Sequence, residues 1–305
     1  MKVLIATDKP FAAAAVEGIR TVIDKAGFEL VILEKYTSKQ QLIEAVKDVD
    51  AMIVRSDIVD SDVINAADKL KIVVRAGAGY DNLDLVCCTN KQIVAMNTPG
   101  QNANAVAELT FGMMLLMARN RFNGTSGTEL KDKTIGIHAF GNVGRNVARI
   151  AKGFGMKVYA FDEYCPKEVI EKEGVTVCAN VQELYSKSHY VSINIPLTPQ
   201  TNKLIGKELL ELMPKNGVLV NTARKEVVNE EELIVHMTEN TKFKYASDIA
   251  PATMNVFMDK FEDRVFFTLK KMGAQTEEAN TNAGIAAACQ IVGYLKEGID
   301  TFRVN

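Results

Sequence analysis

The chain has 305 residues, of which 47% are hydrophobic, and its 36 basic and 38 acidic side chains give a net charge of −2. This composition excludes disorder and predicts two buried cores rather than one. Because the charge is balanced, we expect neither nucleic acid nor a membrane surface as a partner, and a small-molecule ligand is favoured. The odd number of cysteines, 5, is typical of reduced thiols and predicts a cytoplasmic location.

No part of the sequence predicts a membrane span. The N-terminal apolar run, Val3–Ala6, is too short for a signal peptide and is typical of a buried first strand. The longest apolar run, Leu109–Ala118, reaches only about half the length of a bilayer span.

Short aliphatic runs alternate with helical patterns through the first ninety or so residues. The predicted strands are Val3–Ala6, Glu29–Leu33, Ala51–Val54, Ile72–Val74 and Ile93–Ala95, with helices around Ala12–Ala26, Ser38–Lys47 and Asp60–Lys69. Strands that alternate with helices indicate a parallel sheet covered by helices on both faces. The sequence therefore predicts a doubly wound α/β domain in this part of the chain.

A second α/β series follows the turn at Pro99 and Gly100. It begins with a predicted helix over Asn102–Arg119 and a connection rich in glycine, serine, threonine and asparagine. Strands are then predicted over Thr134–His138, Lys157–Phe161, Tyr190–Ile195, Gly217–Asn221 and Tyr245–Asp248. The last helix, Glu278–Leu295, has no strand partner of its own, and we expect it to cross back to the first domain.

A glycine turn joins the predicted strand Thr134–His138 to a helix. Gly141 would let the backbone approach a pyrophosphate, and Gly144 would let helix and strand pack closely. Asp162, at the end of the next strand, would bind the adenosine ribose hydroxyls and repel a 2′-phosphate. The sequence therefore predicts NAD rather than NADP as cofactor. Ala139 replaces the usual first glycine, and an ordinary strand-to-helix turn is the alternative.

Four further stretches resemble signatures of the D-isomer-specific 2-hydroxyacid dehydrogenase family, in the same order along the chain. They are Arg75–Asn82, Asn97–Asn102, Val106–Leu109 and Val220–Arg224. The resemblance implies a flavodoxin-like substrate domain made of residues 1–98 and 284–305. It also implies a Rossmann NAD-binding domain, residues 99–283, inserted between these two segments.

Within the family, one branch has the strongest resemblance. The stretches Val54–Ser56, Val74–Gly77 and Gly273–Glu278 are similar to the members that act on D-3-phosphoglycerate. This implies NAD-dependent oxidation of D-3-phosphoglycerate to 3-phosphohydroxypyruvate by hydride transfer, the first step of serine biosynthesis. A reductase for glyoxylate or hydroxypyruvate is the alternative, because the same scaffold accepts any small 2-oxo acid. A dinucleotide-sensing protein similar to the family's co-repressors is less favoured.

Oxidation of a 2-hydroxy acid requires a cation for the carboxylate and a base for the hydroxyl proton. Arg224, at the position of the family's arginine, is predicted to bind the carboxylate. The family's Glu and His relay is missing, because Thr253 occupies the Glu position and Lys271 the His position. Lys271 is therefore the predicted proton carrier, which requires a pKa about 2 to 3 below the ordinary value of about 10.4. A solvated pair of Lys270 and Lys271 is the alternative.

Other site residues are carried over from the family by position. The substrate is expected to contact Arg55, Ser56, Arg75, Ala76, Gly77, Ala78, Gly79, Asn102 and Arg224. Arg55 and Arg75 would neutralise a phosphate, with salt bridges to Asp57 or Asp81 as the alternative. The small residues of the loop Ala76–Gly79 would let backbone N–H groups point at the substrate carboxylate. The cofactor is expected to contact Val106, Gly141, Asn142, Val143, Gly144, Asp162, Pro196, Thr198, Thr222, Ala223, Asp248 and Gly273.

Asp248 would accept a hydrogen bond from the nicotinamide carboxamide, and no metal is expected. The helix Asn102–Arg119 is apolar around most of its girth, so it must be covered on every side. In the family a second subunit covers part of this helix, which implies a homodimer through the NAD-binding domain; complete burial within one chain is the alternative.

Overall fold

The computed structural model describes residues 1–305 and separates them into two compact units. The first unit contains Met1–Asn102 and Gln275–Asn305, and the second contains Ala103–Ala274. The second unit is thus inserted into the chain of the first. None of the helices combines the length and the apolar character needed to span a bilayer.

A parallel sheet of five strands forms the centre of the first unit. Its elements up to residue 97 are β1 (Lys2–Thr7), α1 (Ala13–Lys25), β2 (Glu29–Glu34), α2 (Lys39–Val46), β3 (Ala51–Val54), α3 (Ser61–Asn65), β4 (Ile72–Arg75), α4 (Leu85–Asn90) and β5 (Val94–Asn97). The strand order is β2-β1-β3-β4-β5, and every neighbouring pair is parallel. All residues of β3 and β5 are buried, as expected where helices cover both faces.

A parallel sheet of seven strands forms the centre of the second unit. Its elements are α5 (Ala103–Ala118), β6 (Thr134–His138), α6 (Asn142–Gly153), β7 (Lys157–Phe161), α7 (Lys167–Lys172), β8 (Thr176–Val177), α8 (Val181–Lys187), β9 (Tyr190–Ile193), α9 (Lys207–Leu210), β10 (Val218–Asn221), α10 (Glu230–Glu239), β11 (Lys244–Ser247), α11 (Met254–Phe261) and β12 (Val265–Phe267). The strand order is β12-β11-β10-β9-β6-β7-β8. The order reverses between β6 and β9, and in such sheets ligands bind at the carboxyl edge beside this point. The prediction of two doubly wound parallel-sheet domains is confirmed.

Three short elements, α4, β8 and β12, are absent from the sequence prediction. Elements of this length contain too few apolar positions to establish a period. The helix predicted over Asp60–Lys69 ends early, at Asn65. Its last turn is tightened, because Ala67 N–H donates to the carbonyl of Ile64 rather than continuing the helical pattern.

The return helix α12 (Glu277–Glu297) belongs entirely to the first unit. It begins at Thr276, whose side chain accepts a hydrogen bond from Ala279 N–H, and it ends at Gly298 with φ +72°. Small residues allow it to approach α1 closely, since a methyl group at Gly284 would lie 3.0 Å from Ile19 Cδ1.

The boundaries between the two units differ from the predicted ones. The chain leaves the first unit after Asn102 rather than after residue 98, and it returns at Gln275 rather than at residue 284. The second difference has a clear cause: α12 begins at its cap, Thr276, and packs against α1, β3 and β4 of the first unit.

Candidate active site

The turn between β6 and α6, residues Ala139–Gly144, is shaped to admit a ligand and is here named the glycine loop. A methyl group at Gly144 would lie 2.3 Å from the carbonyl oxygen of Ala139, so the helix start packs directly on the strand end. In contrast, no atom lies within 4 Å of a methyl group placed on Gly141. Ala139 has φ +75°, the left-handed conformation that favours glycine. The loop therefore has a backbone shape that favours glycine, with open space at Gly141.

Asp162 follows β7 and is bonded to the glycine loop. Its Oδ2 accepts a hydrogen bond from Phe140 N–H at 2.6 Å, and its Oδ1 accepts from Tyr164 N–H and Cys165 N–H, each at 2.8 Å. A carboxylate offers about four lone-pair sites, so Oδ2 can accept one more donor. This arrangement fits a ribose hydroxyl.

Asp248 is completely buried directly after β11. Its Oδ2 accepts a hydrogen bond from Gly273 N–H at 3.0 Å, but its buried Oδ1 has no partner. Burial raises the pKa of Asp248, while the positive charges of Lys271 and Arg224 and the Gly273 N–H act in the opposite direction. A methyl group at Gly273 would lie 3.1 Å from Val106 Cγ2, so this wall of the site is closely packed. The unpartnered oxygen fits the amide N–H of a nicotinamide carboxamide.

Arg224 and Lys271 lie together at the carboxyl end of β10. The buried Asn221 side chain fixes the turn, since it accepts from Ala223 N–H and donates to the Arg224 carbonyl, each at 2.9 Å. The carbonyl oxygen of Ala223 then accepts from Arg224 Nη1 at 3.1 Å and from Lys271 Nζ at 2.5 Å. Lys270 is exposed. The structure thus brings Lys271, and not Lys270, to the arginine predicted to bind the carboxylate.

Thr253, at the position of the family's glutamate, is bonded to a carboxylate from another element. Glu230, the first residue of α10, accepts from Thr253 N–H at 2.8 Å and from Thr253 Oγ1–H at 2.7 Å. Its other oxygen accepts from Ala252 N–H at 2.9 Å. Glu230 therefore orders the segment that follows Asp248. Sequence reasoning missed it, because no local pattern connects the two positions.

The remaining cofactor candidates of the second unit lie after neighbouring strands or at the start of α6. Thr222 is buried, with its Oγ1 3.4 Å from Thr110 Oγ1. Thr201 links two more candidates, since its Oγ1–H donates to the Pro196 carbonyl at 2.7 Å and its Oγ1 accepts from Thr198 N–H at 2.7 Å. Asn142 and Val143 begin α6.

The substrate candidates of the first unit are joined by hydrogen bonds at the carboxyl ends of β3 and β4. Arg75 Nε–H donates to the Arg55 carbonyl at 3.0 Å. The Arg55 guanidinium donates to the carbonyls of Lys9 and Pro10 and to Asn280 Oδ1. Burial lowers the pKa of Arg55. The salt bridge suggested between Arg55 and Asp57 is not among these contacts.

The loop Ala76–Gly79, predicted to face the substrate carboxylate, is held by β5. Asn97 Nδ2–H donates to the Ala78 carbonyl at 2.6 Å, and Thr98 N–H donates to the Gly77 carbonyl at 2.9 Å. Arg75 Nη1 lies 1.7 Å from where a side chain at Gly77 would begin, so any larger residue at position 77 would displace the guanidinium from this position. Asn97 belongs to one of the family signatures and could have been predicted as a supporting residue. Asn102, another substrate candidate, is half-buried and is the last residue of the first unit before the chain enters the second.

The chain is similar to several known proteins. Residues 104–260 match the family model "D-isomer specific 2-hydroxyacid dehydrogenase, NAD binding domain". D-3-phosphoglycerate dehydrogenase of Methanocaldococcus jannaschii is 37% identical over 289 residues, which cover 88% of this chain and 54% of the relative. Hydroxypyruvate reductase of Thermotoga maritima is 34% identical over 275 residues, which cover 84% of this chain and 88% of the relative.

A solved structure is also similar over the whole chain. NAD+-bound 3-phosphoglycerate dehydrogenase of Entamoeba histolytica is 46% identical, with a TM-score of 0.88 and coverage of 100% of this chain and 98% of that one. The chain spans about half the length of the curated phosphoglycerate dehydrogenases that it matches.

Proposed function

Because the chain belongs to the D-isomer-specific 2-hydroxyacid dehydrogenase family, we propose that it oxidises D-3-phosphoglycerate to 3-phosphohydroxypyruvate with NAD. One observation carries the proposal: Lys271 Nζ and Arg224 Nη1 converge on the carbonyl oxygen of Ala223. A proton carrier beside a carboxylate-binding cation is what oxidation of a 2-hydroxy acid requires. The similarity to phosphoglycerate dehydrogenases supports the choice of substrate.

The second unit would hold NAD through its carboxyl edge. The glycine loop would bind the pyrophosphate with backbone N–H groups, and Asp162 Oδ2 would accept a ribose hydroxyl. Asp248 Oδ1 would accept the carboxamide N–H, so that the nicotinamide face is fixed. When bound, NAD supplies the acceptor for the hydride that leaves the substrate carbon.

Two side chains would act on the reacting end of the substrate. The planar fork of Arg224 binds the carboxylate and stabilises charge on the reacting oxygen. Lys271 Nζ accepts the hydroxyl proton during oxidation and returns it during reduction. The Ala223 carbonyl orients Nζ between these events.

The other half of the proposed substrate is a phosphate, and Arg55 and Arg75 of the first unit are the residues proposed to bind it. Their cationic forks suit phosphate oxygens. The side chains of Ser56 and Asn102 would add neutral donors. In the loop Ala76–Gly79, the N–H groups of Ala76 and Gly77 donate to the carbonyls of Val54 and Arg75, so Ala78 N–H and Gly79 N–H are the ones proposed to bind the substrate carboxylate.

The test compares three substrates in the direction of reduction. NADH oxidation by the purified protein is followed with 3-phosphohydroxypyruvate, hydroxypyruvate and glyoxylate, and NADPH serves as the control cofactor. We expect kcat/KM to be highest for the phosphorylated acid and for NADH. Turnover of only the unphosphorylated acids would instead identify a hydroxypyruvate or glyoxylate reductase. That second candidate is supported by the Thermotoga relative, which is matched over most of its length.

We also propose a homodimer formed through the second unit. Leu109, Leu115 and Leu116 of α5 are only partly buried, and Phe122, just after the helix, is 68% exposed. Exposed apolar side chains that lie close together often mark a surface that a protein partner covers. Sedimentation velocity should give about twice the mass of the chain, and a monomer at all concentrations would contradict the proposal.

A cytoplasmic location is proposed as well. All five cysteines are free thiols in the structure, which is usual where glutathione keeps thiols reduced. Fractionation of cells with an antibody against the protein tests this.

A further inference from the structure

We infer that Asn280, in the first turn of α12, is a positioning residue that sets phosphate recognition by Arg55. The inference rests on the proposed function, in which Arg55 binds the substrate phosphate. The Asn280 side chain offers a neutral oxygen, which orients the guanidinium without reducing its positive charge.

Most of the Arg55 guanidinium is committed to the protein. Nη1 donates to the carbonyls of Lys9 and Pro10, each at 3.0 Å, and Cζ lies 5.2 Å from the centre of the Phe11 ring. Nη2 donates one N–H to Asn280 Oδ1 at 2.7 Å. The Nε–H and the second Nη2–H remain. They can form one edge of the planar fork, the arrangement that binds two phosphate oxygens at once.

The orientation of the Asn280 amide is itself fixed. Its Nδ2–H donates to the Thr276 carbonyl at 2.7 Å, and its backbone N–H donates to the same oxygen at 3.2 Å. Thr276 also caps α12. Because the NH₂ group is held on the Thr276 side, the Oδ1 atom must face Arg55, and the contact cannot be lost by a flip of the amide.

The charge of the acceptor matters because Arg55 already lies near two carboxylates. Asp57 and Asp8 stabilise the charged guanidinium from a distance. The carboxylate oxygens of Asp57 accept hydrogen bonds from Asp8 N–H, Tyr36 O–H and the backbone N–H of Arg55. None of these contacts uses the guanidinium. An aspartate at position 280 would instead pair with it directly at hydrogen-bond distance and compete with a phosphate for the same cation.

The experiment measures NADH oxidation by wild type, Asn280→Asp and Asn280→Gln with 3-phosphohydroxypyruvate and hydroxypyruvate. For Asn280→Asp we expect KM for the phosphorylated acid to rise about tenfold or more, with kcat and the kinetics of hydroxypyruvate changed by less than about threefold. Asn280→Gln keeps a neutral acceptor and should lie between wild type and Asn280→Asp. The matched control is Asn282→Asp, which adds the same charge at an exposed position of α12.

The outcomes separate the inference from the proposed function. If wild type prefers the phosphorylated acid and Asn280→Asp lowers kcat/KM for both substrates equally, or no more than Asn282→Asp does, the inference is wrong. If wild type has no such preference and Arg55→Ala leaves the ratio of the two kcat/KM values unchanged, the proposed substrate is wrong and the inference falls with it. If KM rises for the phosphorylated acid only, and does so with Asn280→Asp but not with Asn282→Asp, the result supports both the inference and the proposed substrate.

Discussion

At the scale of single residues, two adjacent lysines have different surroundings. Lys271 is half-buried and bonded to the Ala223 carbonyl beside Arg224, whereas Lys270 is exposed. We predict that Lys271→Ala lowers kcat by about 100-fold or more, because general acid–base catalysis contributes about 10² to 10⁴. Lys270→Ala, the matched control, should change kcat by less than about twofold. Steady-state kinetics and NADH fluorescence titration are the measurements. Equal, mild effects of the two substitutions would show that neither lysine carries the proton.

His138 is a second residue with a measurable signature. It is 4% exposed, and burial lowers its pKa to about 4. In the unfolded chain it titrates near 6.5, so the unfolded state takes up the proton first as the pH falls. The contribution of His138 to the free energy of unfolding is therefore fully present above about pH 6.5, and it is lost progressively between about pH 6.5 and pH 4.

For His138→Gln we predict a smaller loss of stability in acid. The histidine accounts for about 2 kcal/mol of the difference in unfolding free energy between about pH 7.5 and pH 5. The glutamine retains a polar group for Tyr185 O–H, which lies 3.3 Å from His138 Nδ1. Urea unfolding of both proteins at the two pH values tests this. An unchanged pH dependence would mean that other groups cause the acid sensitivity.

The site residues differ in how far along the chain their contact partners lie, and this decides which of them could be predicted. Arg224, Asp162 and the glycine loop could be predicted, because each follows a strand whose carboxyl end lies at the ligand edge of a parallel sheet. The approach of Lys271 to Arg224 was expected only from family position, and it depends on a contact across 48 residues. The contact between Arg55 and Asn280 spans 225 residues, and no spacing rule could have predicted it.

At the scale of elements, we expect opposite effects when the two glycines of α6, Gly144 and Gly153, are each replaced by alanine. Gly144→Ala places a methyl group 2.3 Å from the Ala139 carbonyl oxygen, and backbone must move to relieve this. We expect NADH to bind about tenfold or more weakly and the free energy of unfolding to fall by about 1 to 3 kcal/mol. NADH titration and urea unfolding measure the two effects.

The control for that substitution is in the same helix. Gly153→Ala meets no atom within 4 Å, so we expect a gain of about 0.5 kcal/mol from helix propensity and unchanged NADH affinity. If both substitutions behave alike, close packing at Gly144 is not what shapes the glycine loop.

Several strands follow from the sequence because a strand buried in a parallel sheet is a nearly continuous apolar run. The strands Ala51–Val54, Thr134–His138 and Lys157–Phe161 have the predicted ends. In contrast, α4 begins because the Asp84 side chain accepts a hydrogen bond from Cys87 N–H, a capping signal without a helical period behind it. Short elements of this kind are defined by tertiary contacts rather than by local pattern.

At the scale of the whole molecule, the two units differ in how the chain builds them. The second unit is one continuous segment, Ala103–Ala274, whereas the first needs both ends of the chain. Ala287, Ala288 and Ile291 of α12 belong to the same buried cluster as residues of β1 and α1. A fragment that ends at Asn102 would expose that face of its core, at a cost of about 1.5 to 3 kcal/mol for each large side chain.

We therefore predict opposite behaviour for two fragments. Residues 103–274 should unfold cooperatively in urea and bind NADH, because their sheet and the candidate NAD contacts that we place in this unit lie within the segment. Residues 1–102 should show no cooperative transition until a peptide of residues 275–305 is added to complete the core. Circular dichroism during urea unfolding and NADH fluorescence are the measurements. A cooperative transition of residues 1–102 alone would mean that α12 covers a core that is already stable, and that the return of the chain serves chiefly to bring Asn280 to Arg55.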